Sequence, residues 1–169
     1  MSADAEFTFC MSQETSIPDF IVAAEASGWR LEDGENLAYV TDVDLFNWFA
    51  VAKDAREEVV SELESVRVRG QACGFIMTHR EGDAGCIFIA ADSGKSLLVA
   101  PNKNIVPREG LERFADSEWY LGKLLPMFTG FPLVAYSHSQ ELTLSSRRPL
   151  CENTDLDDVQ GFRLPKGTG

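Results

Sequence analysis

Residues 72–102 read ACGFIMTHREGDAGCIFIAADSGKSLLVAPN. Three short runs rich in apolar and β-branched residues are separated by two turn clusters, Arg80–Gly85 and Asp92–Lys95, that carry Gly and Asp. That pattern predicts a three-stranded antiparallel meander, because Gly and Asp accept the backbone angles that tight turns need. The middle run, Cys86–Ala91, is apolar at every position rather than at every second one. A strand of that kind is expected at the centre of a sheet with both faces covered.

Working outward toward the N-terminus, Glu6–Met11 alternates polar and apolar residues and reads as an edge strand. Ser16, Pro18 and Asp19 form a helix start: a capping hydroxyl, a proline in the first turn and an acid near exposed amides. That helix ends at Ser27, with Gly28 to turn the chain. Trp29–Glu32 and Leu37–Val40 flank Asp33-Gly34 and predict a hairpin. From Thr41, with Asp44 three residues on, a helical period takes over. Leu45, Trp48, Phe49, Ala52, Ala55, Val59, Val60, Leu63 and Val66 fall in one arc, which predicts a long amphipathic helix over 42–65. Beyond the meander, Asp116 or Ser117 caps a helix over Glu118–Leu125 that Pro126 stops or kinks. Leu133–Tyr136 reads as one more strand.

Strands and helices without βαβ alternation place the chain in the α+β class: an antiparallel sheet on the 72–101 meander, with the 42–65 helix and one or two others packed on it. The expected core is Phe49, Val59, Leu63, Phe75, Ile87, Phe88, Ile89 and Leu98. Residues 1–144 read as one domain and 145–169 as a polar, loosely packed tail. A chain of 169 residues can bury such a core without disulfides or metals. Four scattered cysteines with no C-x-x-C pair, and an acidic N-terminus with no apolar stretch behind it, imply reduced thiols and a cytoplasmic protein.

The net charge of −12 is concentrated in the first 66 residues, which hold 15 acids and 3 bases. A field of one sign on part of the surface disfavours nucleic acid and anionic membrane and favours a basic protein partner. Asp54, Glu58 and Glu62 stand four residues apart with Glu57 beside them, a stack of like charges with no lysine to relieve it. Glu32, Asp33 and Glu35 add a second acidic cluster on the expected hairpin.

Sites for chemistry are scarce. Asp92-Ser-Gly-Lys-Ser96 resembles the end of a phosphate-binding loop, yet position 89 is Ile where that loop needs Gly, and a strand follows. If Gly82-Asp83 centres a two-residue turn, His79 faces Cys86, which would be a base beside a nucleophile or simply a small core thiol beside a half-exposed imidazole. We expect Cys86 to be buried and unreactive, with no catalysis there. Two lone histidines and separated cysteines lack metal-ligand spacing, and no cofactor motif occurs, so no cofactor is expected.

In general character the chain resembles the immunity proteins of bacterial polymorphic-toxin and contact-dependent inhibition systems, which are small, acidic, cofactor-free α+β domains. That resemblance implies a non-catalytic inhibitor presenting Asp54, Glu57, Glu58, Glu62 or Glu32, Asp33, Glu35 to a basic toxin or nuclease domain. Two alternatives stand beside it: an acidic chaperone for secreted effectors, and a small enzyme built on Cys86 and His79. The sequence leaves oligomeric state open.

Overall fold

The computed structural model describes residues 5–41 and 47–139. Among these residues ten strands and three α-helices follow one another: β1 Glu6–Met11, α1 Ile17–Ala26, β2 Trp29–Arg30, β3 Asn36–Val40, β4 Phe49–Ala52, α2 Arg56–Val68, β5 Cys73–His79, β6 Gly85–Ala91, β7 Ser96–Lys103, β8 Pro107–Arg108, β9 Leu111–Ala115, α3 Ser117–Leu124 and β10 Leu133–Ser139. Eight strands form one antiparallel sheet in the order β10-β1-β7-β6-β5-β3-β4, with β2 also on β5, while β8 and β9 pair separately. The class is α+β.

Alternation decides which side chains are inside. Phe7 and Phe9 of β1, Phe75 and Met77 of β5, Phe88 of β6 and Leu97 and Val99 of β7 point to one face and are buried. All three helices pack there: α1 through Phe20 and Ile21, α2 through Val59 and Leu63, α3 through Tyr120 and Leu124. Phe9 stacks on Phe128 with ring centroids 4.3 Å apart, and Phe75 on Phe88 at 5.6 Å. Each such side chain contributes roughly 1.5–3 kcal/mol by leaving water.

Several expectations are corrected here. The expected 42–65 helix gives way to β4, a 3-10 turn at Lys53–Ala55 and then α2 from Arg56, while 42–46 lie outside the described residues. Phe-Ala-Val-Ala satisfies a helical period, but pairing with β3 (Tyr39 opposite Phe49, Asn36 opposite Ala52) wins locally, so periodicity over four residues was no guide. Phe49 is consequently 48% exposed rather than in the core. Ile87, Ile89 and Leu98 are only half-buried, because they point away from the helices. β1 is interior, between β10 and β7, rather than at an edge. The expected 29–40 hairpin is also absent as a pair. An Asp33–Asn36 bridge closes the turn, but β2 and β3 lie end to end along β5, against His79 and Thr78 and against Phe75 and Gly74.

One buried charge joins the layers. Arg67, 9% exposed, donates from Nε and Nη2 to the two oxygens of Glu64 at 2.9 and 2.7 Å, and from Nη1 to the Ser93 carbonyl at 2.7 Å. Glu64 Oε2 also accepts the Ile17 N–H, the first amide of α1, at 2.9 Å. The guanidinium and carboxylate thus tie α2 to the β6–β7 turn and to the start of α1. In that turn Gly94 has φ +83°, and a Cβ on it would run into the Thr15 carbonyl just before α1.

Two predictions follow from that junction. Gly94→Ala should destabilise by roughly 2–5 kcal/mol through left-handed strain plus overlap with Thr15. Gly82→Ala, with φ +75° but open space around it, should cost only about 1–2 kcal/mol. Urea unfolding of the two variants checks the difference. The second concerns pH. The hydrogen bonds from Arg67 hold the Glu64 carboxyl below its usual range, with the Ile17 amide adding to this and burial opposing it. A lowered native pKa stabilises fully above the unfolded carboxylate pKa and is lost as pH falls through the native one. Unfolding midpoints measured from pH 6 down to pH 3 should drop, and Glu64→Gln, less stable at pH 6, should flatten that part of the drop.

Candidate functional site

The Cys86–His79 pair does not form. Cys86 lies opposite Met77, and His79 pairs instead with Trp29 of β2. The cause is turn length. Residues 80–83 make a four-residue loop with Gly82 and Asp83 at positive φ, and the His79 N–H donates to the Ala84 carbonyl. The register is therefore two residues away from that of a tight two-residue turn. His79 is 5% exposed, its ring edge-on to Trp29 and Trp119 at 5.0 and 5.6 Å. Its Nδ1 accepts the Glu81 N–H at 3.1 Å, which leaves the hydrogen on Nε2 to point at the Ser27 carbonyl 3.3 Å away. Both ring nitrogens are occupied by backbone.

The thiols match that picture. Burial pushes Cys86 well above the ordinary thiol range, and Cys73, whose Sγ lies 3.6 Å from the Leu63 carbonyl, up to about 12. Both are free and buried. The expectation that all four cysteines are reduced is corrected at Cys10, which is disulfide-bonded.

The acidic residues divide into two kinds. On the β2–β3 connection, Glu32 sits between Arg30 (2.9 Å) and Lys53 (3.0 Å), and Asp33 pairs with Lys103 at 2.7 Å. Those charges are largely compensated, and only Glu35 of that group is exposed without an ion pair among the described residues. Asp54, Glu57 and Glu58 are exposed at the start of α2, and none of them joins an ion pair among the described residues. Glu62 accepts the Tyr39 hydroxyl at 3.0 Å, a bond that with burial raises the Tyr39 pKa, burial being the larger cause. The stack of like charges therefore has a partial structural return. Glu57 and Glu58 occupy the first turn of α2, where unpaired amides favour carboxylates, and Glu62 anchors Tyr39.

Beside these acids lies a feature the sequence did not disclose. α1 and α2 leave a groove of about 640 Å³ between them, lined by Pro18, Ile21, Val22, Val60 and Val68, with Glu57, Ser61, Ser65, Arg56 and Glu64 at its rim. Val22 and Val68 are 64% and 65% exposed. Arg56 is spent on Glu25, which it grips at 2.7 and 3.0 Å, and Glu64 is spent on Arg67. Glu57 is left as the uncompensated charge on the rim. Val68 lies three residues past the expected end of the helix, so its pairing with Val22 was not legible beforehand. Such a surface can take an apolar side chain flanked by a cation.

Among the described residues no cluster of His, Cys, Asp and Glu could hold a metal, and no helix is long and apolar enough to cross a membrane. We expect Cys86 to label with iodoacetamide at pH 8 at least a hundredfold more slowly in the native protein than in urea. His79→Ala should leave its pH profile unchanged; rapid labelling that vanishes in that variant would revive a thiol-based activity.

Comparison with known proteins returns no matching family model, no matching curated protein and no matching solved structure.

Proposed function

We propose that this chain is a non-catalytic protein-binding inhibitor, of the kind the immunity proteins of toxin systems exemplify, whose acidic face meets a basic partner domain. The observation that carries the reading is the set Asp54, Glu57 and Glu58, exposed and without an ion pair among the described residues at the N-terminal end of α2, where Glu57 lines the apolar α1–α2 groove. Charge on such a rim accelerates encounter and sets specificity, while the apolar floor supplies contact area. The other cluster, Glu32 and Asp33, supports the reading less, because bases of the same chain already neutralise it.

The exposed valines also favour a second reading, an acidic chaperone holding an amphipathic client segment in the groove. An inhibitor forms a discrete complex with a folded domain, whereas a chaperone binds its client unfolded, so the fold of the captured partner separates the two. The cytoplasmic location we carry from the sequence has one observation against it, since a disulfide such as that of Cys10 persists mainly in oxidising compartments.

The test begins with the protein retained on this chain at low salt and released at high salt. Neutralising the three acids (Asp54→Asn, Glu57→Gln, Glu58→Gln) should slow its association by roughly one to two orders of magnitude at low ionic strength. The difference should shrink at high salt, as screening removes the field. An unchanged on-rate in a folded triple variant would show those acids to be solvation and helix-end charge alone.

A further inference from the structure

The large sheet ends at β4, and among the described residues no strand lies on its outward side. Alternate residues of such a terminal strand aim their N–H and C=O groups away from the sheet. Natural edges are commonly blunted by lysine, proline or a bulge. Phe49-Ala-Val-Ala52 carries no charge and no proline, and its ladder with β3 runs from Tyr39–Phe49 to Asn36–Ala52 without a register shift. Phe49, Ala50 and Ala52 are exposed, and Val51 is half-buried.

The side chains of β4 divide by face. Tyr39, opposite Phe49, points toward the helices, because its hydroxyl reaches Glu62 of α2 at 3.0 Å. Facing residues of a ladder share a side, so Phe49 and Val51 lie toward α2, with Ala50 and Ala52 on the other side. The Phe49 ring sits against Tyr39 with centroids 5.5 Å apart and is still 48% exposed. Burial raises the Tyr39 pKa first, and the carboxylates of Glu62 and Glu58 add to it, so both acids stand close to this aromatic pair. Where β4 runs out, Glu35, Asp54, Glu57 and Glu58 are exposed with no ion pair among the described residues, while Lys53 and Arg56 are held by Glu32 and Glu25.

We propose that β4 is a docking edge for an extended segment of the basic partner, one with Arg or Lys at alternate positions, which adds to the sheet as a further strand. The inference rests on the basic partner of the proposed function and adds the way one part of it is held. Main-chain hydrogen bonds to the open edge supply the attachment. Basic side chains on the α2 side lay their methylene stems across Phe49 and carry their charges to Glu58 and its neighbours. The intervening side chains meet Ala50 and Ala52, which leave room for β-branched residues. Charge selects this occupant over a second copy of the chain. Two copies paired through β4 bring like-charged sets of acids toward each other, whereas a basic strand meets them with the opposite sign.

The probe is the peptide acetyl-Thr-Arg-Val-Arg-Val-Thr-amide, added to the full chain at low salt and followed by amide NMR. In the free chain the outward amides within 49–52 should exchange quickly. The peptide should shift the signals of 49–52 and of Glu58 saturably and slow those amides at least tenfold. Phe49→Ala and Glu58→Gln, each with an otherwise unchanged spectrum, should weaken binding at least threefold. If Phe49→Ala loses its fold, Glu58→Gln and the wild-type titration decide. Amides of 49–52 already slow in the free monomer, or a concentration-dependent dimer that protects them without peptide, would overturn the proposal. Equal binding of the same peptide with Glu in place of Arg would do so too. Signals of 49–52 untouched by the Arg peptide overturn it even where the triple acid variant still slows the retained protein, so this failure is read apart from failure of the proposed function.

Discussion

The Arg67–Glu64 pair is the constraint on which the arrangement of the helix layer rests. A guanidinium that is 9% exposed would be costly alone, and breaking such a pair by removing one partner typically costs several kcal/mol. Here the fork is met by both carboxylate oxygens and a backbone carbonyl, and the carboxylate takes an α1 amide as well. The consequence is geometric as much as energetic. Hydrophobic contact would let α1 and α2 slide over an aromatic floor, whereas these directional bonds fix where α1 starts relative to α2 and to the β6–β7 turn. Gly94 allows the approach, since that turn sits against the Thr15 carbonyl with no room for a side chain.

That fixed spacing generates the candidate binding surface. With Glu64 drawn toward Arg67 and Arg56 drawn toward Glu25, both helices turn their remaining apolar residues, Val22, Val60 and Val68, to the gap between them. Of the acids at the start of α2, Glu57 lines the groove, and neither it nor Asp54 nor Glu58 joins an ion pair among the described residues. Bonded and free-standing acids divide along the helix: Glu62 and Glu64 are committed to Tyr39 and Arg67, while Asp54, Glu57 and Glu58 face solvent.

The fold class was legible in the sequence because the signals for it are local. Gly and Asp between apolar runs marked the turns around Cys86–Ala91, and Ser16 and Asp116 marked helix starts that their side chains do cap. What failed was non-local. Residues 49–52 fit a helical period, and only the presence of β3 alongside makes them a strand. His79 and Cys86 missed each other because the connection is a four-residue loop rather than a two-residue turn, which moves the pairing register by two. The all-apolar middle run did signal a strand with two apolar faces, and the helices of the described residues pack on one of them. The acidic residues were visible as a group. Which of them are neutralised depended on Lys53 and Lys103, which are distant in sequence from Glu32 and Asp33, as well as on the nearby Arg30. The groove was invisible, since its walls come from two helices whose phases are set by a buried salt bridge.

On the function proposed above, a basic partner docks on the start of α2 and the groove beside it. Hydrogen exchange of the complex with the partner retained at low salt, read by mass spectrometry, tests it most directly. Slowed exchange should centre on residues 53–68 and 17–26, with little change in 29–40. Protection centred on 29–40, or on strands β1 and β7, with 53–68 unaffected, would count against that surface.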